Sequence, residues 1–314
     1  MTTPTIPLPG WTGELATSLL AGGLAPAKLR LLIQSLTFDQ YVEADPTTLA
    51  DLKIPRVTPT DHVFTHDIYP VLIGDPRYPA QLAAGPNPPV ILFIRGPYEA
   101  LKLGVAVVGT RAITDLGKRT VPPALSGAAE LGVPVYSGLA LGVDGLAHQT
   151  ALDLGLSTSA VLATYPTAVT PRSHHALSES ILEAGGCVLS ESLETTPHAG
   201  LLHARNRIIV GLSSVVVPAE ASLGSGTMTA VAAALEWDRY LVVPLPRGAA
   251  RETPGAAGLL ALAGETKLER TDLKVTNATW ERLANQDYVA SALASTPTEL
   301  TFYVTLAHRF STLG

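Results

Sequence analysis

The sequence predicts an α/β fold: a parallel β-sheet with helices on both faces, preceded by a small helical domain. Three observations carry this expectation. Between residues 105 and 243, short apolar runs alternate with helical patterns. The runs are apolar at nearly every position, as in strands buried on both faces of a parallel sheet. Residues 133–152, VPVYSGLALGVDGLAHQTAL, read as strand, glycine loop and helix in immediate succession.

The whole chain sets bounds on function. Its 314 residues allow one large domain or two to three smaller ones, and 46% apolar residues with a mean hydropathy of +0.27 support a sizeable core. No window is apolar for long enough to span a bilayer, and the N-terminal residues lack the pattern of a secretory signal. Cys187 is the single cysteine, so neither an intramolecular disulfide nor a cysteine-rich metal site is expected. Its neighbour Val188 suits a buried strand thiol. These features fit a soluble, cytoplasmic protein. The net charge of −6 argues against a surface coated with basic residues but leaves room for a local basic pocket.

In order, residues 1–62 form a small helical module. Apolar periodicity predicts helices at 11–20, 26–36 and 46–52, with Pro26 and Pro46 suited to first turns. Residues 78–96 form a stiff lead-in with Pro86, Pro88 and Pro89, ending in a strand at 90–94. A strand at 105–108 follows. The helix expected within 114–131 contains Pro122 and Pro123, so it either begins at Pro122 or is kinked there. Further strands are predicted at 133–136, 159–163, 187–189, 214–217 and 240–243. The helices between them fall at 144–154, 173–184, 201–212 and 226–237. One more helix is expected at 255–263, closing a central domain of residues 63–268. Residues 269–314 carry short helical patterns and read as a small extra domain or a loosely packed extension.

Ligands of such sheets bind at the carboxyl ends of the strands. Three loops fall there. Gly109-Thr110-Arg111 combines a close-approach glycine with a planar cation. Residues 137–145 join a strand to a helix N-terminus, where backbone N–H groups suit a phosphate; Asp144 is placed as that helix's N-cap. Residues 220–227, EASLGSGT, repeat the arrangement with Ser225 and Thr227 as hydroxyl donors, but no lysine follows as in a Walker loop. Arg205 and Arg207 lie two apart and point different ways on a helix. One is expected to face the ligand, with Arg205 favoured, and the other to pair with an acid such as Glu191 or Glu220. Arg172 is a further candidate donor. His148 reads as a packing histidine and His174-His175 as a solvent-exposed pair without a third metal ligand. No catalytic triad is present in the pattern.

Several of these segments, in one order, resemble the DNA processing protein A (DprA/Smf) family. Ser137-Gly138-Leu139-Ala140, Gly142, Asp144, Ala147-His148 and Ala151-Leu152 are similar to its SGLARGID…AH…AL signature. Arg205-Asn206-Arg207-Ile208-Ile209 with Gly211-Leu212-Ser213 resembles its RNRII.GLS segment. Val108–Arg111 is similar to its VG[ST]R turn, and Glu220-Ala221 with Ser225-Gly226 to its EA…SG loop. The lead-in resembles the family's at Tyr78-Pro79, Pro88-Pro89 and Arg95-Gly96. The likeness spans residues 75–246. It implies an extended Rossmann-like domain after a SAM-like helical one. It also implies single-stranded DNA binding without catalysis or cofactor, a homodimer, and loading of the RecA recombinase onto incoming strands in natural transformation. By the same resemblance, the DNA-contacting residues are Gly109, Thr110, Arg111, Ser137, Gly138, Leu139, Ala140, Gly142, Arg205, Asn206, Ser225, Gly226 and Thr227. The chain departs from the pattern at Leu141, where the family has arginine, at Ala230-Val231, and near Gly255, where alanine replaces an asparagine.

A nucleotide-binding sensor or nucleotide-processing protein of the wider superfamily is the alternative. Its phosphoribohydrolases carry a PGG.GT..E motif; here Gly226-Thr227 is followed by Met228, Thr229 and Ala230, without the glutamate.

Overall fold

The computed structural model describes residues 7–58, 67–273, 275–283 and 289–312. Helices α1 (Gly13–Ala21), α2 (Pro26–Ser35), α3 (Phe38–Glu43) and α4 (Pro46–Asp51) form the N-terminal module. Pro26 and Pro46 occupy first-turn positions, as expected. Helix α3 was not predicted; Thr37 and Gln40 form a capping box at its start. Trp11 stacks edge-on against Phe38, and its indole N–H donates to the Leu36 carbonyl at 2.8 Å. Leu19, Leu29 and Ile33 belong to the same apolar cluster as Ile68, Val71 and Phe93 of the sheet.

Strand β1 (Ile68–Leu72), helix α5 (Ala80–Ala83) and β2 (Ile91–Arg95) lead into the alternating part of the chain. It runs β3 (Gly104–Gly109), α6 (Asp115–Leu131), β4 (Val135–Ser137), α7 (Val143–Asp153), β5 (Thr158–Val161), α8 (His175–Glu183) and β6 (Val188–Ser190). Then come α9 (Ala199–Gly211), β7 (Ser213–Glu220), α10 (Gly226–Glu236), β8 (Tyr240–Pro244) and α11 (Pro254–Leu262). The short helices α12 (Arg270–Leu273) and α13 (Asn277–Leu283) precede β9 (Ala292–Ala294) and α14 (Pro297–Ser311).

The strands of the described residues make one nine-stranded sheet in the order β1-β2-β6-β5-β4-β3-β7-β8-β9. From β6 to β9 every pairing is parallel. The sheet is mixed rather than wholly parallel, because β2 runs antiparallel to both β1 and β6. The chain winds outward from β3 through β4 and β5 to β6, then returns to place β7 on the other side of β3. The carboxyl ends of β3 and β7 therefore flank the point where the winding reverses, the place where an open α/β sheet leaves a crevice.

Two expectations are corrected. Helix α6 begins at Asp115, not at Pro122, and runs unbroken past both prolines. Thr114 caps it, its hydroxyl accepting from the Leu116 N–H at 3.2 Å. The carbonyls that lose a donor to Pro122 and Pro123 belong to Lys118 and Arg119, both exposed, so water can satisfy them. The tail, in turn, is not loosely packed. Strand β9 extends the sheet beside β8, and α14 lies along α6 with Leu300, Val304 and Ala307 in its core. Thr301 donates to the Pro123 carbonyl at 2.9 Å, and the His308 ring meets the Ser214 hydroxyl at 2.6 Å. Among the described residues, no helix is long and apolar enough to cross a membrane.

A buried carboxylate fixes α6 to the sheet. Glu220 ends β7 just beyond a register shift, where Gly109 pairs with Glu220 although Val108 pairs with Pro218. The extra residue bends β7 and directs Glu220 at α6. Its oxygens accept from the Thr114 N–H and hydroxyl, each at 3.0 Å, and from the Gly117 N–H at 3.2 Å. A negative group at a helix N-terminus is favoured by the helix dipole. Glu220→Ala leaves these donors without an acceptor and is expected to cost about 2–3 kcal/mol. Urea denaturation checks this; Glu220→Gln, which keeps one acceptor oxygen, loses less.

Candidate nucleic-acid interface

At the winding reversal lies a cavity of about 380 Å³. Its walls come from three loops and one helix face. The loop after β3 brings Gly109, Thr110 and Arg111. The loop after β4 brings Ala140, the start of α10 brings Ser225, Gly226 and Thr227, and α9 brings His203, Arg205 and Asn206.

Local chemistry explains the convergence. Gly142 sits at the N-cap of α7 with φ of +79°, and a Cβ there would run into the carbonyls of Thr110 and Arg111. The loops after β3 and β4 can therefore touch, and the Val143 N–H donates to the Thr110 carbonyl at 3.1 Å. The Thr110 N–H donates to the Glu220 carbonyl at 3.0 Å, tying the first loop to the third. Ser225 caps α10 with extended backbone, but its hydroxyl bonds to no N–H of the helix, and its buried oxygen has no partner among the described residues. That leaves the first turn of α10 with backbone donors toward the cavity. Arg111 is exposed and has no ion pair among the described residues. With the α10 N-terminus, it makes the cavity a receptor for an anion.

Not every predicted residue lines this space. Ser137 is fully buried, its hydroxyl donating to the Val107 carbonyl at 2.7 Å. Leu139 is a core residue held at φ of +55°, and Gly138 lies flat on the Arg205 guanidinium, where a Cβ would overlap it. Ser137, Gly138, Leu139 and Gly142 thus shape the cavity from behind. Asn206 lines it but spends its amide on the Gly226 carbonyl (3.1 Å) and the Thr229 hydroxyl (2.7 Å), locking α9 to α10.

Arg205 lies in the wall yet is only 7% exposed. It donates to the Val161 carbonyl at 2.7 Å and faces the Asp144 carboxylate at 3.9 Å. Among the described residues, its Nε has no hydrogen-bond partner. Arg207 takes the other role foreseen for the pair, bonding Glu191 at 2.5 Å. Asp144 does not cap α7. It sits in the first turn, buried, accepting from the Ala140 N–H at 3.4 Å. Burial pushes its carboxyl above the usual range, opposed by Arg205 and the Ala140 N–H. Arg172 is exposed in a separate depression with His175, outside this cavity. His174 is half-buried rather than exposed, with Nδ1 2.9 Å from the Leu139 carbonyl. Burial pushes the Cys187 thiol up to about 12. The sequence reading missed His203 at the rim and Glu220 as the bridge; a lone acid ending the buried run SSVVVPAE was the available signal for the second.

The fold and the cavity define a Rossmann-like α/β protein with an anion-receptive crevice at its winding reversal. The family model for DNA recombination-mediator protein A matches residues 70–277. The chain belongs to that family. It is 40% identical over 184 residues to protein Smf of Escherichia coli K12, covering 58% of this chain and 48% of that protein. It is 37% identical over 169 residues to the DNA processing protein DprA of Streptococcus pneumoniae R6, covering 53% and 59%. The chain thus spans about half the length of these relatives. The solved structure of S. pneumoniae DprA superposes with a TM-score of 0.59 at 27% identity, over 84% of this chain and 92% of that one. DNA processing protein A of Helicobacter pylori, whose structure concerns its single-stranded DNA binding mode, superposes with a TM-score of 0.51 at 27% identity, over 66% and 93%.

Two outcomes follow from the buried groups. Arg205→Ala strands the Asp144 carboxylate and is expected to cost about 3–5 kcal/mol, read as a melting temperature lower by roughly 10 °C. His148 is fully buried, with Nδ1 2.7 Å from the Thr158 hydroxyl. Burial, then His174 and Arg205, push its pKa down to about 3. The unfolded chain takes up that proton near pH 6.5 and the folded one does not. Stability is therefore full above pH 6.5 and falls toward pH 3, at up to about 1.4 kcal/mol per pH unit from this group. Melting curves of His148→Gln and the parent between pH 7 and 4 check this; the parent has the steeper loss.

Proposed function

We propose that the chain is a non-enzymatic recombination mediator that binds single-stranded DNA in the cavity at the winding reversal. It protects incoming strands and loads the RecA recombinase onto them in natural transformation, acting in the cytoplasm as a homodimer. One observation carries the reading: the unpaired Arg111 shares the cavity with the open N-terminus of α10 at Ser225 and Gly226. Family membership and the roles for which the relatives are named support it. Arg111 takes a phosphate, the backbone at Ser225, Gly226 and Thr227 takes the next, and Gly109, Thr110 and Ala140 let the strand approach closely. Ser137, Gly138, Leu139, Gly142, Arg205 and Asn206 hold these groups in place.

Fluorescence anisotropy of a labelled single-stranded oligonucleotide over a salt series tests the reading. Affinity is expected to fall with rising salt. Arg111→Ala weakens binding about tenfold and lowers the salt slope by about 0.7, one phosphate contact. Mononucleotides do not compete. Displacement by a mononucleotide, or an unchanged Arg111→Ala, would overturn it.

A further inference from the structure

β9 and α14, outside the family-matched residues 70–277, form one wall of a second concave surface whose other walls lie within the match. It is a groove of about 810 Å³ between the first half of α6, the turn after β8 and the β9–α14 junction. Leu116, Leu245 and Leu300 line its interior, and Lys118, Arg119 and Arg247 line its edges. The acid among the lining residues is Asp115, which stands 3.8 Å from both Lys118 and Arg119. Those pairs are solvent-exposed and weak. Arg247 is exposed and has no ion pair among the described residues. Three cations against one carboxylate leave an excess of two positive charges, on a chain whose net charge is −6.

The groove and the cavity share no lining residue, but one loop joins them. The loop after β3 passes from Arg111, in the cavity, to Thr114 and Asp115, in the groove. Both depressions open at carboxyl ends of the sheet, the cavity at β3 and β7, the groove at β8 and β9. Lys118 and Arg119 follow Arg111 seven and eight residues along the chain, on α6.

We propose that this groove is a second station for the same single-stranded nucleic acid. Phosphates lie on Lys118, Arg119 and Arg247, and bases lie over the half-buried Leu116 and Leu245. The proposal rests on the reading of the cavity given above, and the test separates the two.

The full chain is titrated by anisotropy with oligothymidines of about 6 and about 20 nucleotides, lengths chosen to fill one station or both. The combined variant Lys118→Ala, Arg119→Ala, Arg247→Ala removes exposed side chains and keeps the parent's melting temperature. With the long strand it is expected to lose at least about tenfold in affinity and about 2 in salt slope, three phosphates at 0.7 each. With the short strand it matches the parent. A control lacking Lys53, Lys102 and Lys267, equal in charge and outside both depressions, keeps long-strand binding. An unchanged long-strand affinity in the groove variant overturns the proposal, as does an equal loss in the control. So does loss of binding to a leucine-containing acidic peptide with DNA binding intact, which would make the groove a peptide site. If Arg111→Ala leaves short-strand binding intact while the groove variant still loses the long strand, the groove stands and the cavity reading fails.

Discussion

The Glu220 carboxylate, sealed inside the protein at the end of β7, holds the backbone of the first turn of α6. Through that contact β7, the loop after β3 and the longest helix of the alternating region are tied together. Among the described residues, no cation pairs with the carboxylate. The hydrogen bonds at the α6 N-terminus and the helix dipole satisfy it instead, which leaves Arg111 without an acid beside it. Satisfying a structural carboxylate internally in this way keeps it from consuming a neighbouring cation.

Arg205 shows the complementary solution. It stands in the cavity wall, but its guanidinium is used on Val161 and Asp144, beneath Gly138. Its charge is held against the Asp144 carboxylate, which lines the same cavity, rather than offered as a direct fork to phosphate. Asn206 likewise spends its amide on the start of α10. The segment that looks most like a ligand-binding motif in the sequence is therefore mostly the frame that aims the Ser225–Thr227 turn.

The parts legible in the sequence were those set by local periodicity. The buried runs at β3, β4, β7 and β8 and the helices between them follow from apolar patterns, and all three glycine loops arrive at one edge because parallel winding places them there. The Arg205–Arg207 spacing correctly implied different partners, Glu191 for one. What local pattern could not carry was pairing across the chain. Asp144 has the residue type of an N-cap, but Gly142 adopts the positive φ and caps the turn, and Asp144 turns inward to a residue 61 positions later. Strand β1 holds Pro70, which fits an edge strand but hides the signal. Strand β9, three residues long, has no period to read; only its partner β8 defines it.

The position of α14 bears on how the molecule assembles. Thr301 and Thr305 bond to Pro123 and Glu130 across separations of 178 and 175 residues. At synthesis rates of roughly 5–20 residues per second, the face of α6 that α14 covers waits on the order of ten to thirty seconds for its partner. During that interval, buried positions of α6 such as Val121 and Leu125 have only the sheet and α7 to pack against. Long-range closures of this kind slow folding and expose apolar surface, so this edge of the sheet is where a chaperone would have most to hold while the protein is being made.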